Sequence, residues 1–208
     1  MKVIYCHGFA SSPASSKARF FAAKLTECGV ECVVPALDGG DFENLTISGQ
    51  LRILEEEANG QPVHLVGSSL GGYLSALYAA AHPDQVQSLI LLAPAFCFGS
   101  RYPGELKPED LAAWKAAGTR KIFHYGHERE MDLRYTLVED AAQYADYPDF
   151  QQPALIFHGR SDDVVPSFLS ERFVAKHPNA TLRILESDHQ LTDVTDILWR
   201  ESKAFFGL

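Results

Sequence analysis

The chain has 208 residues, 46% of them apolar and 22% charged, with 27 acidic against 18 basic side chains and a net charge of −9. That length and apolar content suit one folded domain over residues 1–208 and exclude an extended disordered chain. An acidic protein repels phosphate, which disfavours nucleic acid as a partner, and no apolar run reaches the roughly 18 residues of a membrane span.

The opening Met1-Lys2-Val3-Ile4-Tyr5-Cys6 is too short an apolar stretch for a signal peptide, and it lacks the Arg-rich pattern of a transit peptide. Four cysteines, Cys6, Cys28, Cys32 and Cys97, stand at no framework spacing, so a reduced, cytoplasmic chain is expected. Cys28 and Cys32 have no second pair at ligand spacing, and no metal is expected.

Val3 to Cys6 reads as the first strand, closed by His7-Gly8. Ala18, Phe21, Leu25 and Cys28 then mark one face of a helix that Gly29 stops. Glu31 to Val34 is a second strand. Ile47, Leu51, Leu54 and Ala58 recur at helical spacing before Asn59-Gly60. Pro62 to Val66 is a third strand, followed by a helix lined by Leu70, Leu74, Leu77 and Ala81. Ser88 to Leu92, Ala154 to Phe157 and Thr181 to Leu185 are further strands, and a last helix carries Leu191, Val194, Leu198 and Phe205. Apolar strands alternating with amphipathic helices specify βαβ units and a mostly parallel sheet of about six strands. Between Pro94 and Pro153 no clear strand is read, and a helical piece is expected from about Met131 to Tyr144. A segment that long between strands suggests a lid or cap, placed at 95–152.

In parallel sheets the reactive loops lie beyond the carboxyl ends of the strands. Gly67-Ser68-Ser69-Leu70-Gly71-Gly72 follows a strand and opens a helix. That is G-x-S-x-G in the context that gives it meaning: a sharp turn lifts the central hydroxyl, and small residues at Gly67 and Gly71 let strand and helix approach. Ser69 has glycines at both flanking positions and Ser68 does not, so Ser69 is the candidate nucleophile. A serine hydroxyl needs a base, and the base needs a carboxylate to orient it, in chain order Ser, Asp or Glu, His. Asp162 and Asp163 follow the strand ending at Phe157, and His189 follows the last strand, just before the final helix. Spacing leaves Asp162 and Asp163 open; Asp188 and Asp193 are remoter candidates. Of eight histidines, His82 and His177 precede proline at helix ends, His64 lies within a strand, and His7 and His158 end strands where structural hydrogen bonding is expected. His124 and His127 lie in the long intervening segment, which leaves His189 as base. Two N–H groups should face the developing oxyanion: that of Leu70, and that of Phe9 in the loop His7-Gly8-Phe9.

Together these pieces resemble the α/β-hydrolase superfamily from Val3 to the final helix. His7-Gly8-Phe9 is similar to its oxyanion loop, and Gly67 to Gly71 to its nucleophile elbow. His158-Gly159-Arg160-Ser161-Asp162-Asp163-Val164-Val165-Pro166 resembles its acid loop, in which the first Asp is the acid; the resemblance therefore implies Asp162. Ser187-Asp188-His189 resembles its histidine loop. The opening and the elbow look like small bacterial esterases, and the later loops like depalmitoylating acyl-protein thioesterases. The resemblance implies a three-layer fold with helices on both sheet faces and a short helical lid. It also implies a serine hydrolase of small carboxylic esters or thioesters that forms an acyl-enzyme and uses no cofactor. A catalytically silent binding protein on the same fold, or a triad enzyme cleaving another bond, is the alternative. Phe96, Phe98, Trp114, Phe123 and Tyr125 are candidates for an acyl pocket. Arg120, Lys121, His124, His127, Arg129 and Arg134 make the segment locally basic, which reads first as a solvated surface and second as a rim for anionic substrates.

Overall fold

The computed structural model describes all 208 residues. Strand β1 (Lys2–Cys6) sends Val3 and Tyr5 to one sheet face and Ile4 and Cys6 to the other, all fully buried. A strand buried on both faces belongs inside a parallel sheet. Helix α1 (Ser16–Glu27) covers the Val3/Tyr5 face with Ala18, Phe21 and Leu25, and Gly29 ends it at a φ of +73°. Strand β2 (Glu31–Val33) pairs parallel with one side of β1. Helix α2 (Ile47–Ala58) then crosses on the opposite face, and β3 (Val63–Ser68) pairs with the other side of β1. The chain therefore reverses direction at β1/β3, where open α/β sheets leave a crevice beyond the carboxyl ends. Cys6 is in register with Gly67, so the loops leaving the two strands emerge side by side.

Helix α3 (Leu70–Ala81) and β4 (Val86–Leu92) continue the sheet. The segment after β4 contains α4 (Phe98–Gly104), α5 (Pro108–Ala117), an antiparallel hairpin of β5 (Thr119–His124) and β6 (Arg129–Arg134), and α6 (Thr136–Ala141). The hairpin corrects the expectation of an all-helical segment with a helix from Met131. Met131 and Leu133 alternate with Glu130, Asp132 and Arg134, a period-two pattern in which charges fill the outward positions. Tyr135 and Val138 follow at spacings that mimic a helical face. Side chains from this segment, Trp114, Leu133 and Leu137, join the same buried cluster as Leu54 of α2 and Leu74 of α3. Asp140 of α6 accepts from the Ser48 N–H and hydroxyl at 2.9 and 2.5 Å, which sets a carboxylate at the positive end of α2.

Strand β7 (Ala154–Gly159), α7 (Phe168–Val174), β8 (Ala180–Leu185) and α8 (Thr195–Phe206) complete the chain. The sheet order is β2-β1-β3-β4-β7-β8, with every pair parallel. Helices α1 and α8 cover one face; α2, α3 and α7 cover the other. The last helix begins at Thr195, so Leu191 and Val194 precede it and residues 190–194 separate it from His189. Leu191, fully buried, adopts a left-handed φ of +53° there. No helix is long and apolar enough to cross a membrane.

Candidate active site

Ser69 is the residue between β3 and α3, at φ +53° and ψ −119°. A non-glycine residue at positive φ is strained, and it persists only where its surroundings hold it. Here its N–H donates to Leu92 O at 2.8 Å, and its carbonyl accepts from Gly72, Tyr73 and Ala95. The flanking glycines are steric requirements: a Cβ on Gly71 would lie 2.0 Å from Cys6 O, and one on Gly67 2.4 Å from Gly71 O. Ser68 is buried, whereas Ser69 is partly open.

His189 Nε2 lies 3.1 Å from Ser69 Oγ, and its Nδ1 lies 2.7 Å from Asp162 Oδ2. Because the carboxylate only accepts, Nδ1 carries the proton and Nε2 offers a lone pair to the serine O–H. Asp163 is exposed and takes no part in this line. The Asp162 side chain is fully buried and accepts from the Val164 and Val165 N–H groups. Its second histidine contact is His158, at 3.1 Å through Nε2. His158 Nε2 also donates to Val165 O, so its Nδ1 accepts from Ser170 Oγ. Burial alone would raise the Asp162 pKa, but bonds from His158, His189 and the Val165 N–H outweigh it. They hold the carboxyl well below the usual range.

Two N–H groups, on the residue after Ser69 and on the loop that approaches it, have no protein acceptor. That of Leu70 is the first of α3 and has no partner within the helix. That of Phe9 donates to no protein acceptor. Gly8 brings the loop close, since a Cβ there would sit 3.5 Å from Ser69 Cβ. His7 supports the loop by donating to Gly8 O and accepting from the Leu37 N–H, and burial lowers its pKa. The hairpin reaches the same loop: Tyr125 N–H donates to Ala10 O at 2.8 Å. Asp38, His124 and His127 gather behind it, with donor atoms within 4.8 Å of one another. His124 Nδ1 accepts from the His127 N–H, so the Nε2 that faces Asp38 at 3.9 Å carries the proton.

The five aromatic candidates do not form one pocket. Phe98 stacks on Tyr102, and both rings meet Phe9. Trp114 is buried edge-on to Tyr102 and donates to Leu133 O. Phe96 instead stacks on Phe173, and Phe123 and Tyr125 face solvent at 48% and 72% exposure. An exposed hairpin tip cannot line a buried acyl site, and proximity in sequence holds no information on which side of β5 faces inward. Tyr102 and His158 join the site's surroundings without a spacing signal that singles them out. Lys121 pairs with Asp132 and Arg134 with Glu43, which neutralises much of the local basic charge.

A parallel sheet whose strained strand-to-helix turn presents a serine to a histidine is the α/β-hydrolase fold, and this chain has it. Within it, the profile of UPF0227, described as an uncharacterised protein family, matches residues 2–207, and the chain is a member of that family. The chain is 28% identical over 218 residues to the mitochondrial palmitoyl-protein thioesterase ABHD10 of Homo sapiens, covering 94% of this chain and 69% of that protein. It is 28% identical over 145 residues to the monoacylglycerol lipase abhd6-B of Xenopus laevis, covering 68% of this chain but 41% of the lipase. Among solved structures, the mouse alpha/beta hydrolase domain-containing protein 10 superposes with a TM-score of 0.83 at 20% identity, over 99% of this chain and 89% of that one.

Proposed function

We propose that this protein is a serine-dependent carboxylesterase or thioesterase. The observation that carries the reading is the hydrogen-bonded line Ser69–His189–Asp162, with a serine O–H, a free imidazole lone pair and a buried carboxylate in sequence. In this mechanism His189 takes the proton as Ser69 Oγ attacks the acyl carbonyl. The Phe9 and Leu70 N–H groups stabilise the oxyanion, and His189 then protonates the departing alcohol or thiol. Water, activated by the same imidazole, releases the acid from the acyl-serine. Asp162 keeps the imidazole in the required tautomer. Residues 95–152 act as a cap on the 1–208 domain, and the Phe9, Phe98 and Tyr102 rings offer an apolar wall for an acyl group. Relatives named thioesterase and lipase support ester-bond chemistry. The four free cysteines fit a reducing, cytoplasmic setting.

Intact-mass labelling with a fluorophosphonate probe tests the reading. One adduct is expected on wild type and none on a folded Ser69→Ala variant, whose ester turnover should fall by about a millionfold. An unlabelled, well-folded wild type overturns it.

A further inference from the structure

Lys17 is in an unfavourable place for a lysine. It lies in the first turn of α1, where the helix end is itself positive, and its side chain is nine-tenths buried. Burial of an ammonium is opposed by desolvation and by the loss of side-chain freedom. Its Nζ makes one hydrogen bond, to the carbonyl of Gln190 at 2.5 Å, across 173 positions of sequence. Gln190 is the residue after His189, and the residue after that is the left-handed Leu191. The histidine loop therefore passes through a strained turn directly beside its functional side chain, and Lys17 holds the carbonyl at that turn. The carboxylates whose fields reach the ammonium are Asp188, on the same loop, and Asp162, on the acid loop.

Resting on the hydrolase reading above, we infer that Lys17 is a positioning residue: its ammonium clamps the Gln190 carbonyl and so keeps His189 Nε2 in line with Ser69 Oγ. It touches neither reacting atom. The clamp links the element that follows the oxyanion loop to the loop that carries the base, so two of the three groups around the acyl carbon share one anchor. Burial brings the Lys17 pKa down to about 8, against the opposing pull of Asp188 and Asp162, so the clamp has its full charge only below that pH. Above it, a neutral amine still donates one hydrogen bond but loses the charge assistance.

The test is steady-state hydrolysis of p-nitrophenyl butyrate by the full chain, from about pH 6 to about pH 10, for wild type, Lys17→Met and Lys17→Gln. Below the Lys17 pKa, kcat should fall by about ten- to a hundredfold in the Met variant with KM unchanged, because misalignment of the base affects the transition state and not ground-state binding. Wild type should show an alkaline limb near pH 8 that descends to a plateau at the Gln variant's rate. Both variants should lack that limb, a signature that a purely structural lysine would not produce. A limb that persists in both variants, or kcat within twofold of wild type, overturns the inference. If the Met variant fails to fold, the Gln variant, which keeps an N–H for the carbonyl, carries the same comparison. Fluorophosphonate labelling of wild type separates the two levels: a labelled wild type with unaltered variants overturns the Lys17 role alone, and an unlabelled one overturns both.

Discussion

Ser69 stands on backbone shaped by glycine contacts, whereas His189 stands on a loop tied down by side chains. At the elbow, Gly67 and Gly71 press backbone against backbone, and the strained serine is closed in by main-chain bonds. The loop from Glu186 to Val194 contains no glycine. It is held chiefly by side chains, the Ser187 hydroxyl on Asp193, the Asp188 carboxylate on the Gln190 N–H and Lys17 on Gln190 O, with a main-chain bond from the Ser161 N–H to Ser187 O. Its one close backbone approach is lent by a neighbour, since a Cβ on Gly159 would lie 2.4 Å from Asp188 O. A backbone-built turn has one geometry or none. A side-chain-built loop has graded geometry, so substitutions there should change rate before they change stability.

Gly71→Ala is expected to show the first behaviour in full. Its Cβ has no room beside Cys6 O, and the loss should exceed about 4 kcal/mol, a large share of the roughly 5–15 kcal/mol that holds a typical domain folded; urea denaturation measures it. A folded variant of near-native stability would break the comparison at its strongest point. Asp162→Asn comes next, with kcat about ten-thousandfold lower at retained fold, because the amide no longer enforces the Nδ1–H tautomer. Its pH dependence has a defined sign. The folded carboxyl is held below its ordinary value of 3.8, so the stability it contributes is present above about pH 4 and is lost on further acidification. The melting temperatures of wild type and Asp162→Asn should therefore converge or cross as pH falls through that range. The smallest effect belongs to Ser187→Ala, which frees one clasp of the histidine loop. About 1 kcal/mol of stability and a severalfold drop in kcat are expected, and equal losses at the elbow and at this clasp would erase the distinction.

Much of this arrangement is legible in the amino-acid sequence. The four inner strands announce themselves as apolar runs because both sheet faces are covered there, as Val3 to Cys6 and Ser88 to Leu92 show, whereas the edge strands β2 and β8 are half-exposed. Ser69 is readable because glycine on either side has one steric purpose at a strand-to-helix turn. Spacing does not separate Asp162 from Asp163, since the choice turns on which carboxylate the Val164 and Val165 N–H groups draw inward. The hairpin escapes a reading by periodicity because its alternation is broken in β5, where the apolar Phe123 faces outward, and because its buried positions are few. Lys17 leaves no trace in the pattern, because a contact between residues so far apart in the chain has no local periodicity.

The Ser69 carbonyl accepts the amide of Ala95, the point at which the chain leaves the sheet for its long excursion. Hydrogen–deuterium exchange can use that bond as a reporter. The Ala95 amide exchanges only when the serine turn itself opens, while the Tyr125 amide, on Ala10 O, exchanges whenever the hairpin tip lifts. The ratio of the two exchange rates compares opening of the hairpin tip with opening of the serine turn, and it does so in the resting protein with no substrate present.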